Sequence, residues 1–207
     1  YPILGALFHP PGAIARHDAV AWGYAGRAAE MGVEIHQGTT VTDIEITDGR
    51  VTGVMTDRGR VACGKAVQAV AGASTTIARM AGLKLPIRTI PLQACVSQPL
   101  KPFLDVVVVS GSLHVYVSQS DRGELVMGAS VDPFTSYSMA GSLDFLEGLS
   151  GHVLELFPFL SKARILRQWA GLCEMPPDFS PLMGITPVEN FLIDAGWGTY
   201  GFKASPI

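Results

Sequence analysis

The sequence predicts an α/β unit, then an antiparallel sheet carrying one helix (α+β in character), then a return of the chain to the first unit. Three observations carry that expectation. A helix-periodic stretch early in the chain leads into short strands and a turn of small residues; Pro-punctuated extended segments begin at Leu85; and an apolar strand, "FLIDAG", closes into a glycine-rich turn near Ile207.

With 207 residues, 48% hydrophobic and 16% charged, the composition is globular and allows one sizeable core or two small ones. The longest apolar run, Val106 to Val109 with its neighbours, falls far short of the roughly 20 residues of a membrane span. A formal charge of -3 with scattered basic residues excludes the footprint expected of a nucleic-acid binder. Cys63, Cys95 and Cys173 are too far apart for a disulfide framework or a metal-ligand spacing, so reduced thiols, a cytoplasmic setting and no metal are expected. No signal-peptide pattern opens the chain. It starts at Tyr1 and stops just after a Gly-rich, Lys-containing loop, which reads as an internal piece of something larger.

Taking the elements in order, Ala21, Tyr24, Ala25, Ala28 and Met31 recur at helical spacing from Asp18, and Gly32 follows as a left-handed cap, so a helix is predicted over 18–31. Asp18 is its expected N-cap. Gly23 and Gly26 inside it each cost roughly 1 kcal/mol relative to alanine, which makes sense if a backbone or ligand comes close. "VEIHQ" reads as a short strand, and "VTDIEI", "RVTGVMT" and "RVACG" as hairpin strands separated by Asp48-Gly49 and Asp57-Arg58-Gly59. "AVQAV" is a strand running into Ala71-Gly72-Ala73-Ser74 and a short helix to Met80. Such turns either let helix and sheet pack or present amides to a phosphate or ribose, and spacing does not choose between them.

Beyond Leu85, "IRTIPLQACVSQP", "VVVVS", "LHVYVSQ" and "ELVMGAS" read as antiparallel strands, with Asp121-Arg122-Gly123 turning the last pair. An amphipathic helix is predicted over Ser142 to Phe157 and a strand over Arg164 to Leu172, followed by the polar, Pro-rich passage "EMPPDFSPLMG". In that passage Glu174 and Asp178 flank a Pro-Pro turn and read as turn residues. Trp22, Trp169 and Trp197 are expected to pack in the core or in loops.

Two residues stand out as chemistry. His17 lies beside Arg16 at the start of the first helix, and its ring needs a partner that the sequence does not locate. A surface or packing residue is the alternative for His17, and His9, His36, His114 and His152 share that alternative. Lys203 lies in "GWGTYGFKASP", where Gly196, Gly198 and Gly201 would let the backbone pass against a flat ligand and the lysine could fix a carboxylate or an anionic ring. A solvated lysine on a flexible loop is the alternative.

The stretches "GAIARHDAVAWGYA", "GVEIHQGTTVTDI", "PLQACVSQPL", "HVYVSQSDRGELVMGAS", "PPDFSPLMG" and "GWGTYGFKASP" are collinear and cover nearly the whole chain. Together they resemble the β subunits of heterotetrameric sarcosine oxidases, within the D-amino-acid-oxidase-like flavoprotein superfamily. The resemblance implies a partial Rossmann-like FAD-binding domain over 1–84, lacking the N-terminal GxGxxG loop, an antiparallel substrate domain over 85–175, and a return to the FAD domain over 176–207. It implies that His17 carries FMN covalently, through a ring nitrogen bonded to the flavin 8α-methyl carbon, with Arg16 as a phosphate or flavin contact. It places Lys203 beside noncovalent FAD, on the substrate carboxylate, with Ala71, Gly72, Ala73, Gly196, Gly198 and Gly201 as cofactor-side backbone. Monomeric sarcosine oxidases have a His three residues before that Lys. Here the position is Tyr200, grouped with Lys203 at the oxidation site, and the histidine's role does not transfer.

The implied activity is oxidative demethylation of sarcosine to glycine, with electrons passing from FAD to FMN to oxygen and an α subunit as partner. A related amine oxidase of the dimethylglycine type and a noncatalytic module docking on an α-type subunit are the alternatives. By itself the chain is expected to bind FAD weakly or not at all.

Overall fold

The computed structural model describes residues 2–129 and 132–206; Tyr1, Ser130, Val131 and Ile207 lie outside them, including the last residue of "ELVMGAS". Residues 2–16 form no helix or strand before α1 (His17–Glu30). The helix ends as predicted. Gly32 takes φ +89°, its amide reaches the Ala29 carbonyl and the Val33 amide reaches the Ala28 carbonyl, both at 3.0 Å. That is the paired bonding of a glycine-terminated helix.

Its start differs. Arg16, not Asp18, is the N-cap and offers no side-chain bond, while Asp18 sits in the first turn and takes the Arg16 guanidinium at 2.7 Å. The guanidinium hydrogen bond holds the Asp18 carboxyl below the usual range, and its charge still complements the helix dipole. The periodic face expected to pack does not: α1 buries none of its residues, and Trp22 is 80% exposed rather than in a core. A side chain added at Gly23 or Gly26 would meet nothing within 4 Å among the described residues. Nor is "VEIHQ" a strand, because an extended segment without a neighbour to satisfy its amides does not form one.

β1 (Val41–Thr47), β2 (Arg50–Thr56) and β3 (Gly59–Ala62) form an antiparallel sheet through the expected turns. Asp48 and Gly49 both have positive φ, 50° and 78°, as a two-residue hairpin turn demands. On its surface Arg60 grips Glu45 at 2.6 and 2.8 Å, and that bond together with Thr52 lowers the Glu45 carboxyl to about 2.

β4 (Ala66–Gln68) is followed by a 3₁₀ turn over Ala71–Ala73 and by α2 (Ser74–Met80). β4 pairs in parallel with β11 (Phe191–Ala195), whose other edge pairs with β10 (Leu182–Ile185). β10 was not expected. It lies at the end of the Pro-rich passage, and Gly184 at φ +138° breaks the strand pattern that would have announced it. Ile44, Val51, Ala81 and Phe191 are the buried centre shared by these strands and α2.

The third sheet has the order β6-β7-β8-β5-β9, all antiparallel: β5 (Arg88–Pro99), β6 (Val108–Ser110), β7 (Val115–Gln119), β8 (Glu124–Ala129) and β9 (Ile165–Met175). His114, expected on the β7 strand, sits at φ +50° in the turn before it. α3 (Leu143–Leu156) covers one face, packing Phe145, Leu149 and Val153 on Cys95, Val115, Val117, Leu125 and Met127. Each such side chain taken out of water contributes about 1.5–3 kcal/mol. Ser142 caps the helix by accepting the Phe145 amide at 3.2 Å, and Gln93 on β5 accepts the Ser142 amide at 2.7 Å, so the helix start is tied to the sheet. β9 runs on past Leu172 because β5 continues beside it, pairing Arg88 with Met175. Glu174 therefore belongs to a strand, not to a turn.

Burial pushes the Cys95 thiol up to about 11 and raises that of Cys173, while Cys63 is only half-buried. Folding holds the Cys95 proton, so this contribution to stability is present below the ordinary thiol value of about 8.5 and lost as the pH rises through about 11. An aromatic disulfide reagent at pH 8 is expected to titrate Cys63 rapidly and the other two only on denaturation. A fast second thiol would contradict the packing of β5 and β9.

Candidate functional site

β4 and β11 run parallel, with Gln68 opposite Ile193, so both carboxyl ends point the same way. Two turns leave from those ends, Ala71 to Ser74 and Gly196 to Gly201, over a hundred residues apart in the chain and brought together only by the sheet. The carboxyl ends of parallel strands are where open α/β sheets place ligands.

In the first turn Ala71 is exposed, with φ +43°, and its carbonyl accepts the Ser74 hydroxyl at 2.7 Å. Gly72, expected among the cofactor contacts, is buried: an added Cβ would lie 2.2 Å from the Leu172 Cβ, and its carbonyl accepts the Thr89 hydroxyl at 3.3 Å. The packing of β9 demands this glycine. Gln68 sits beside the turn, giving its Nε2 to the Ser74 carbonyl at 3.0 Å, while its buried Oε1 has no partner among the described residues.

In the second turn Gly196 has φ +77° and an added Cβ would meet the Pro176 Cγ at 2.7 Å, so the position requires glycine twice over. Trp197, half-buried, donates its indole N–H to Asp194. The Tyr200 amide closes onto the Trp197 carbonyl at 3.0 Å, and the short α4 (Gly201–Ala204) follows. Lys203 and Tyr200 are both exposed, with Nζ 4.3 Å from the centre of the Tyr200 ring, a cation–π contact.

Sequence reasoning missed two things. Gly196-Trp197-Gly198-Thr199-Tyr200-Gly201 has the GxGxxG spacing, after a strand and opening a helix, though the helix is only four residues long. And Glu174, set aside as a turn residue, is buried between the two turns, accepting the Ser74 amide at 3.2 Å and the Gly196 amide at 2.8 Å. No spacing rule would find it, because its partners lie on two other segments. His17 and Arg16 are on a different element, at the exposed start of α1. Trp169 is half-buried with the Arg167 guanidinium 5.3 Å over its ring.

The sequence model of the FAD-dependent oxidoreductase (DAO) family matches residues 1–207. The chain belongs to this family. It is 49% identical to the sarcosine oxidase β subunit of Rhodobacter capsulatus and 48% to that of Rhizobium meliloti, in each case over all of this chain and 50% of the relative. The chain thus spans about half the length of the curated relatives it matches. Among solved structures, the L-proline dehydrogenase of P. horikoshii superposes with a TM-score of 0.83 at 28% identity, over 90% of this chain and 51% of that one. The expected fold, α/β joined to an antiparallel sheet, is that of part of a DAO-family oxidoreductase.

FAD fits the groups found here. The unpartnered Gln68 Oε1 and the exposed Ala71 lie at one strand end, and the left-handed glycine turn with Tyr200 and Lys203 at the other. Among the described residues no group of His, Cys, Asp and Glu could hold a metal ion, and no helix is long and apolar enough to cross a membrane.

Proposed function

We propose that the chain is part of the β subunit of a sarcosine oxidase, acting on the N-methyl C–N bond of sarcosine to give glycine. The 49% identity running through its full length to the Rhodobacter capsulatus subunit carries this reading. FAD, when bound, would supply the hydride acceptor, and FMN would supply a route for the electrons to oxygen.

The chain's own residues have separable parts. Lys203 extends its ammonium as the anchor for the substrate carboxylate, and Tyr200 provides the ring that holds it. Gly196, Gly198 and Gly201 would let the backbone pass against the cofactor, and Ala71 and Ala73 would hold it from the β4 side. Residues 1–84 and 176–207 then form the cofactor-side unit and 85–175 the substrate-side unit. The sharing of one sheet by β4 and β11 supports this division.

His17 holds FMN covalently, its exposed place at the start of α1 leaving the ring open to the flavin. Arg16 can reach an FMN phosphate only by sharing or leaving Asp18. The apolar surface of α1, with Trp22 and Tyr24 exposed, supports an α-type subunit as its cover, and free cysteines fit a reducing, cytoplasmic setting.

The test is anaerobic mixing of the complete protein with sarcosine. Bleaching of the FAD absorbance by sarcosine supports the reading; bleaching by N,N-dimethylglycine but not sarcosine transfers the site to that substrate. For FMN, acid-precipitated protein co-expressed with its α subunit is expected to stay yellow in the wild type and turn colourless in His17→Ala. A colourless wild-type pellet would remove the covalent flavin.

A further inference from the structure

The side chain that joins the two turns is Glu174, the last but one residue of β9. It is 4% exposed. Its Oε1 accepts the Ser74 amide, 100 residues away in sequence, and its Oε2 the Gly196 amide, 22 residues away. A buried carboxylate is costly unless its oxygens are satisfied, and here backbone N–H groups of separate segments do this, one on each oxygen. Among the described residues no Lys, Arg or His pairs with it. Two acceptors on one planar group therefore set the distance between the start of α2 and the start of the glycine turn.

The second of those bonds falls where geometry is most sensitive. Gly196 is the first residue after β11, in a left-handed conformation and against Pro176. The orientation of its peptide decides where Trp197, Tyr200 and Lys203 go next. The Trp197 carbonyl receives the Tyr200 amide, and Tyr200 stacks under the Lys203 ammonium, so a displacement at Gly196 passes through two short contacts to the Lys203 Nζ.

We propose that Glu174 is a positioning residue: its carboxylate clamps the Gly196 turn to the Ala71–Ser74 turn and thereby sets the Tyr200–Lys203 pair against cofactor and substrate. This rests on the reading of Lys203 as the carboxylate anchor. Neither common replacement serves the clamp. Glutamine has one acceptor oxygen and turns an NH₂ toward one of the two amides, and aspartate is a methylene too short to span both.

The experiment compares wild-type, Glu174→Gln and Glu174→Asp complete protein, all values taken per bound FAD. Three quantities are read: the visible FAD spectrum, the sarcosine dissociation constant from anaerobic bleaching, and amide hydrogen exchange in the peptide covering 195–203. Glu174→Gln is expected to shift the FAD band, to weaken sarcosine binding about tenfold with a smaller change in limiting bleaching rate, and to speed exchange at the glycine turn. Glu174→Asp moves each value part of the way. Lower flavin content with all three quantities unchanged per flavin would mean a purely structural residue and overturn the proposal. If Glu174→Gln yields no flavin-bearing protein, Glu174→Asp decides: wild-type values overturn the proposal and partial shifts uphold it. Should sarcosine fail to bleach even the wild type, the functional reading falls, and spectrum and exchange still decide the clamp.

Discussion

Lys203→Ala in the complete protein is expected to raise the KM for sarcosine about 10- to 100-fold, the range for losing a hydrogen bond to a charged group, with a smaller fall in kcat. The reasoning starts from where the ammonium is. Lys203 is exposed on α4, and the Tyr200 ring lies 4.3 Å beneath its Nζ. A carboxylate bound there takes no part in breaking the N-methyl C–N bond and keeps its charge, so the contact is similar in ground state and transition state and its loss falls mainly on KM. Lys203→Arg keeps the charge on a planar fork of different reach and is expected to lie between alanine and wild type. Steady-state kinetics with sarcosine check both. An unchanged KM in the alanine variant would sink the assigned role, and a large fall in kcat with KM constant would place Lys203 on the reacting bond instead.

The second large effect is on the fold. Gly72→Ala is expected to destabilise the protein by about 1–3 kcal/mol or more, because the added methyl must share space with the Leu172 Cβ 2.2 Å away. A clash with the tip of a flexible side chain is relieved by rotation. This one is with an atom bonded directly to the backbone of β9, so the 3₁₀ turn or the strand has to move. Either movement disturbs the Ser74 amide and Glu174, which span the same gap. Leu172→Ala alone is expected to be far milder, and combined with Gly72→Ala it should rescue little, since alanine keeps the offending Cβ. Thermal unfolding of the single and double variants checks this. Full recovery in the double variant would show that the Leu172 tip, not its Cβ, sets the limit.

Local signals carried most of the elements. The Asp48-Gly49 and Asp121-Arg122-Gly123 turns, the Gly32 helix stop, the Ser142 helix start and the apolar run of β11 were all legible, because each is decided within a few residues by backbone conformation or side-chain period. The errors came where neighbours decide. "VEIHQ" alternates like a strand but finds no partner among the described residues, β9 outruns its pattern because β5 runs beside it, and α1 has a periodic face yet buries none of its residues.

The site divides the same way. The family resemblance and the candidates His17 and Lys203 were legible in the chain itself, since residue types in collinear stretches survive without coordinates. That the turns after β4 and β11 lie side by side, that Gly72 serves packing, that Tyr200 lies beneath Lys203 and that Glu174 holds the two turns together emerged only with the folded chain. Each of these four is a contact between atoms, and three of the four join segments whose separation along the chain carries no information about their separation in space.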